Sequence, residues 1–136
     1  MLVSDIMTRD VITAPPSCTA AEASRLLHVH NVGALPVVDG AGNLRGIVTD
    51  RDIVTRCVAA DSDPAATPLR ELMTRRLATA APGDSLTDAA AVMASSQVRR
   101  LPVVERGRLV GILALADVAA TGAGNAALSA VSRPEA

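Results

Sequence analysis

The segment 46–52 reads G-I-V-T-D-R-D, and its threonine and last aspartate are three residues apart. The carboxylate of Asp52 can accept hydrogen bonds from both vicinal hydroxyls of a ribose. Thr49 lies where its hydroxyl and the free N–H groups of a helix N-terminus would face a phosphate. The pair therefore predicts a site for ribose and phosphate. The same spacing also fits an N-cap and an acid in the first helical turn, which would stabilise the helix by roughly 1 kcal/mol without any ligand.

Two adjacent arginines are a second group that could meet a phosphate. Arg99 and Arg100 precede a predicted strand, and their charge would suit a di- or triphosphate. A solvated turn is the alternative interpretation. The basic residues, 13 in all, are scattered among 14 acidic ones, and the net charge is −1. Because no basic stripe results, we expect no nucleic-acid partner.

Absent residue types narrow the chemistry further. The chain has no Phe, Tyr or Trp, so a bound base would have to lie between aliphatic side chains and backbone. It also has no Lys, which excludes a Schiff-base or P-loop lysine. No Ser-His-Asp, Cys-His or H-x-x-E-H grouping is found, and we expect no enzymatic activity. His28 and His30 would fall on different faces of a helix, so no metal site is expected.

The composition, with 49% hydrophobic and 20% charged residues, is typical of a folded domain. No apolar run approaches the ~18 residues that a membrane span requires, and the N-terminus does not resemble a signal peptide. We therefore expect a cytoplasmic protein without a membrane partner. Cys18 and Cys57 have no metal or redox spacing around them and are expected to be small buried hydrophobes.

An internal repeat sets the architecture. The opening D-I-M-T-R at 5–9 returns as E-L-M-T-R at 71–75, and L-P-V-V at 35–38 returns at 101–104. The Gly-rich turn between the next two strands is one residue shorter in the second copy, a change that a hairpin tolerates well. We predict a first repeat at 1–60, a linker at 61–68, a second repeat at 69–121 and a flexible tail at 122–136.

Each repeat is predicted to fold as β-α-β-β-α, which gives an α/β protein. In the first copy, T-A-A-E at 19–22 has the form of a capping box, and apolar residues follow it at helical spacing. Two short β-branched runs flank the Gly-rich turn and predict a hairpin, and helical periodicity returns from Asp50 to Ala60. A unit of ~55 residues buries little apolar surface, so the pair is expected to fold together.

These paired motifs resemble the CBS-domain pair, or Bateman module, from Val3 to about Ala120. The resemblance rests on the D/E-h-M-T openings, the L-P-V-V strands and the segment 46–52, which matches the family's G-h-x-[ST]-x-x-D ligand motif throughout. Among stand-alone pairs, the chain is most similar to the bacterial hypoxic response type. That similarity rests on H-N-V-G-A-L-P at 30–36, T-D-R-D-I-V at 49–54 and Q-V-R-R at 97–100.

The resemblance implies a pseudo-twofold pair with two clefts, each assembled from both repeats. One cleft would hold the ribose on Thr49 and Asp52 and be lined by Ile47, Arg51, Thr79, Ala81, Val98 and Arg99. The other would use Asp117 with Thr13, Pro15, Val32 and Gly33. The second copy of the motif, G-I-L-A-L-A-D at 111–117, lacks the hydroxyl residue and the arginine. We therefore expect the second cleft to be weaker or empty.

The resemblance further implies a regulatory module that senses AMP, ADP or ATP, with NAD or S-adenosylmethionine as other candidate ligands, and that carries no cofactor. It would act in trans on a protein partner or through its own homodimer. The alternative is a structural or interaction module that keeps the fold but has lost ligand binding. The degraded motif at 111–117 favours this alternative, and the intact motif at 46–52 opposes it.

Overall fold

The computed structural model describes residues 1–122, so the predicted tail beyond Gly122 lies outside the described residues. The elements in chain order are α1 (Val3–Ile6), α2 (Ala20–His30), β1 (Ala34–Val38), β2 (Leu44–Thr49), α3 (Asp50–Ile53) with a π-helical continuation (Val54–Val58), a 3-10 helix (Leu69–Glu71), α4 (Leu86–Ser96), β3 (Arg100–Glu105), β4 (Arg108–Ala114) and α5 (Leu115–Ala120). They form two compact units. The Thr49 unit is Ile12–Leu77, and the Asp117 unit combines Met1–Val11 with the described residues 78–122.

Each unit contains one antiparallel hairpin. β1 pairs with β2 so that Ala34 lies opposite Thr49, and β3 pairs with β4 so that Arg100 lies opposite Ala114. Each turn contains a glycine with positive φ, 85° at Gly42 and 81° at Gly107, a conformation that costs other residues more. The predicted α/β fold with two repeats, each carrying a hairpin and helices, is confirmed.

The first predicted strand of each repeat is reduced to a single parallel bridge. Ala14 bridges Val37 in the Thr49 unit, and Ala80 bridges Val103 in the Asp117 unit. In a parallel ladder the next hydrogen bond would be donated by the residue two positions later. That residue is Pro16 or Pro82, and proline has no backbone N–H. The ladder therefore ends after one rung in both units.

The opening segment of each repeat packs in the unit formed mainly by the other repeat. In the Asp117 unit, Thr8 and Ile112 exchange two backbone hydrogen bonds of 2.8 and 2.9 Å. In the Thr49 unit, Thr74 and Ile47 exchange two of 2.9 and 3.0 Å. Val3 is fully buried in the first of these cores and Leu69 in the second. Each core is thus completed by residues far away in sequence.

Candidate functional site

Thr49 and Asp52 meet where β2 ends and α3 begins. The Thr49 Oγ1 accepts a hydrogen bond of 3.0 Å from the Asp52 amide, and the Asp52 Oδ2 accepts one of 2.9 Å from the Thr49 amide. This reciprocal pair is a capping box, in which two N–H groups of the helix start are satisfied. The helix-capping role that the spacing allowed is therefore present in the structure.

Removal of the capping hydroxyl should destabilise the chain. Thr49→Ala leaves the Asp52 amide without its side-chain acceptor, and losses of this kind are about 1 kcal/mol. Urea unfolding followed by circular dichroism measures the change. Thr49→Ser keeps the oxygen and should lose less. Equal stability of the alanine variant and the wild-type chain would contradict a stabilising role for this cap.

The second carboxylate oxygen of Asp52 faces an arginine. Arg56, one helical turn later, places its Nε 3.8 Å from Asp52 Oδ1. The side chain of Asp52 is 16% exposed and that of Arg56 is 50% exposed. The Nη1 of Arg56 also donates a hydrogen bond of 3.1 Å to the Leu72 carbonyl. Sequence reasoning missed the contact between Asp52 and Arg56, whose one signal was the four-residue spacing of the two residues.

The remaining predicted residues of the Thr49 unit lie around the same hairpin. Gly33 is next to the motif, because its carbonyl accepts a hydrogen bond of 3.1 Å from the Asp50 amide. Ile47 is half-buried in β2, and Arg51 is exposed on α3. Thr13 is half-buried, whereas Pro15 and Val32 are exposed.

A groove of about 310 Å³ adjoins the motif within the Thr49 unit. Its lining includes Val32, which the sequence predicted as a site residue. The other lining residues, Ser24, Leu27, His28, Asp50, Ile53 and Val54, were not predicted as site residues. Half of them, Ser24, Leu27 and His28, come from α2, whose position beside α3 depends on tertiary packing.

The predicted residues of the Asp117 unit have a different local arrangement. Ala114 stands at the N-cap of α5 and offers no side-chain oxygen, so no capping hydrogen bond to a side chain is formed there. The motif aspartate Asp117 is exposed. The Arg99 carbonyl accepts a hydrogen bond of 2.8 Å from the Leu115 amide. The side chain of Arg99 is exposed. Thr79 and Ala81 are exposed, and Val98 is half-buried. The predicted grouping of residues into two clefts remains a prediction.

The two cysteines are buried and form no disulfide within residues 1–122. Burial raises the pKa of the Cys18 thiol, and the nearby carboxylate of Glu22 raises it further. A thiol with a raised pKa is a poor nucleophile and metal ligand. The prediction that Cys18 and Cys57 are small buried hydrophobes is confirmed.

Within residues 1–122, no group of three or more His, Cys, Asp or Glu side chains is placed to hold a metal ion. No helix there is long and apolar enough to cross a bilayer.

Comparison with known proteins decides the family. Residues 3–59 and 69–123 match the model of the CBS domain. The chain belongs to the CBS-domain family. The CBS pair is 48% identical over 117 residues to the CBS domain-containing protein YhcV of Bacillus subtilis, with 86% of this chain and 82% of that protein covered.

The similarity to the hypoxic response type is confirmed. The CBS pair is 36% identical over 116 residues to Hypoxic response protein 1 of Mycobacterium tuberculosis, with 82% and 81% of the two chains covered. A crystal structure of Hypoxic Response Protein I with two coordinated zinc ions superposes with a TM-score of 0.82 at 35% identity, covering 89% of this chain and 98% of that one.

A second solved structure carries adenosyl ligands. It is the CBS domain pair of protein MJ0100 in complex with 5′-methylthioadenosine and S-adenosyl-L-methionine. The TM-score is 0.79 at 33% identity, with 91% of this chain and 97% of that one covered. This similarity extends over nearly the whole CBS pair.

Proposed function

We propose that this CBS pair is a regulatory module, without catalytic activity of its own, that binds an adenosyl ligand through Thr49 and Asp52. The observation that carries the proposal is the Asp52 carboxylate. Its Oδ2 belongs to the capping box, while Oδ1 faces Arg56 at 3.8 Å, beyond hydrogen-bonding distance. A carboxylate has about four lone-pair positions, so Oδ1 retains capacity to accept ribose hydroxyls.

A structural relative supports the ligand class, and the difference between the two motifs indicates which aspartate contributes more to binding. The structurally similar MJ0100 pair is in complex with two adenosyl compounds. In this chain the intact motif at 46–52 combines Thr49 with Asp52, whereas the motif of the Asp117 unit has Ala114, without a hydroxyl, at the N-cap of its helix. We therefore propose that Asp52 contributes more to binding than Asp117. AMP, ADP and ATP are the first candidate ligands, followed by NAD and S-adenosylmethionine.

The ligand prediction can be tested by thermal unfolding. Millimolar AMP, ATP, NAD and S-adenosylmethionine are added separately, and unfolding is followed by circular dichroism because the chain has no Trp. A ligand at 100 times its Kd should add about 2.7 kcal/mol, a rise of several degrees in Tm. Asp52→Asn retains an oxygen for the Thr49 amide but loses the charge, and we expect it to abolish most of this rise.

Asp117→Asn is the matched control, since it makes the same change in the other motif. It should retain most of the ligand-induced rise in Tm. A rise that persists in Asp52→Asn would contradict the role of Asp52. If none of the four ligands changes the Tm of the wild-type chain, the proposal that it binds them at millimolar concentration is contradicted, and the interaction module described below is favoured.

A module that acts by protein interaction alone is the second candidate. Three valines on the helices of the Thr49 unit are highly exposed: Val29 by 73%, Val54 by 57% and Val58 by 55%. Exposed apolar side chains that form a contiguous patch are typical of interaction surfaces, and Val54 and Val58 are four residues apart on one helical segment. They support a homodimer or a protein partner as the means by which the CBS pair acts in trans.

A further inference from the structure

Arg56 joins the site carboxylate to a distant backbone segment. Its guanidinium lies 3.8 Å from Asp52 Oδ1 through Nε and donates to the Leu72 carbonyl through Nη1 at 3.1 Å. The guanidinium is planar, and its donors have a fixed geometry. One guanidinium therefore contacts both the Asp52 carboxylate and the Leu72 carbonyl.

Leu72 belongs to the segment through which the chain leaves the Thr49 unit. The next residues are held on β2, because Thr74 exchanges two hydrogen bonds with Ile47 and Met73 lies against Gly46. Beyond Thr74 the backbone is irregular, and Arg75 and Arg76 are exposed. The segment Leu72–Thr74 is thus tied to the ligand motif twice, by β2 and by Arg56.

The equivalent position in the Asp117 unit has a different residue. Four residues after Asp117 the chain has Thr121, whose hydroxyl donates a hydrogen bond of 2.7 Å to the Val118 carbonyl. A threonine side chain is too short to span the distance that the arginine spans. Among the described residues, an arginine link from motif aspartate to exit segment is seen in the Thr49 unit.

We propose that Arg56 is a positioning residue that orients Asp52 for the ligand and couples occupancy of the site to the order of Leu72–Thr74. This inference rests on the proposed function. By placing a positive charge 3.8 Å from Oδ1 before binding, Arg56 reduces the reorientation of Asp52 that the ligand would otherwise require. Because coupling between two sites is reciprocal, a ligand on Asp52 stabilises the contact of Arg56 with Leu72 and protects the exit segment.

Calorimetry and hydrogen exchange together test the coupling. AMP and S-adenosylmethionine are titrated separately into the wild-type chain and Arg56→Gln, and amide exchange is followed by mass spectrometry in peptides that cover 72–77. We expect Kd to rise about threefold to fivefold in Arg56→Gln. At saturating ligand, exchange in 72–77 should slow in the wild-type chain and stay unchanged in the variant.

Two further variants separate positioning from charge and from folding. Arg25→Gln removes a positive charge from an exposed position in the same unit and should leave both Kd and the ligand-dependent exchange as in the wild-type chain. Arg56→Lys keeps a positive charge beside Asp52, but its compact ammonium group lacks the separate donors with which the guanidinium contacts Asp52 and the Leu72 carbonyl together. It should recover part of the affinity without the protection of 72–77, a separation that a purely structural role would not produce.

The outcomes distinguish this inference from the proposed function. Binding by the wild-type chain with an unchanged Kd in Arg56→Gln would overturn the role of Arg56 and leave ligand binding intact. Equal ligand-induced protection of 72–77 in the wild-type chain and Arg56→Gln would also overturn it. Absence of binding by the wild-type chain would overturn both proposals.

Discussion

Gly46→Ala is expected to destabilise the Thr49 unit by about 1–3 kcal/mol, the usual cost of overpacking a buried site. A Cβ at Gly46 would lie 2.8 Å from Met73 Sδ and 2.8 Å from the Thr74 carbonyl oxygen. The methionine side chain can move, but the carbonyl cannot withdraw easily, because its segment exchanges two hydrogen bonds with Ile47. Urea unfolding followed by circular dichroism measures the loss.

Gly40→Ala provides the matched control, since a Cβ at Gly40 would have no heavy atom within 4 Å. Its stability should stay within about 0.5 kcal/mol of the wild-type value. Gly111→Ala should behave like Gly46→Ala, because its Cβ would meet Met7 Sδ at 2.8 Å and the Thr8 carbonyl oxygen at 2.9 Å. If Gly46→Ala and Gly40→Ala unfold at the same urea concentration, the close approach of the opening segment is not a constraint.

These close approaches give a physical reason for two motifs that recur in the sequence. Gly46 leaves room for Met73 and Thr74 to lie against β2. Gly111 leaves room in the same way for Met7 and Thr8 to lie against β4. The pairing of Met73 with Gly46 and of Met7 with Gly111 was not predicted. Sequence comparison shows that the motifs recur, but it cannot show which copies touch when each repeat contains both.

Local features of the fold were predictable because they depend on neighbouring residues. The hairpins follow from β-branched runs around a Gly-rich turn, and the N-cap of α2 follows from Thr19, whose hydroxyl accepts from the Glu22 amide at 3.2 Å. The shortening of the first strand was missed. Although Pro16 was visible in the sequence, its effect depends on the register against β1, which only the folded chain defines.

The candidate site also has one part that could be predicted from the sequence and another that could not. The contact of Thr49 with Asp52 spans three residues and could be anticipated from spacing alone. The contact of Arg56 with Leu72 spans sixteen residues and depends on the exit segment returning to the hairpin. The groove beside the motif was also missed, since α2 supplies much of its lining. Long-range packing therefore determines which groups can modulate a motif that is itself locally encoded.

Leu69→Ala should destabilise the Thr49 unit by about 2–5 kcal/mol, as truncation of a fully buried leucine leaves a cavity. Leu69 opens the second repeat in sequence, yet its side chain is fully buried in the core that contains Leu35 and Val48. Loss of this side chain should therefore speed amide exchange most strongly in peptides from 12–77. Exchange mass spectrometry under native conditions resolves such sub-global opening.

The reciprocal variant completes this test. Val3 is fully buried in the core of the Asp117 unit with Leu101 and Leu113, so Val3→Ala should speed exchange mainly in peptides from 78–122. Arg70→Ala changes the exposed neighbour of Leu69 and should leave both patterns unchanged. If Leu69→Ala instead loosened 78–122 and Val3→Ala loosened 12–77, each opening segment would be stabilising its own repeat. The observed burial requires the opposite, because the methyl groups removed lie in the core of the other repeat.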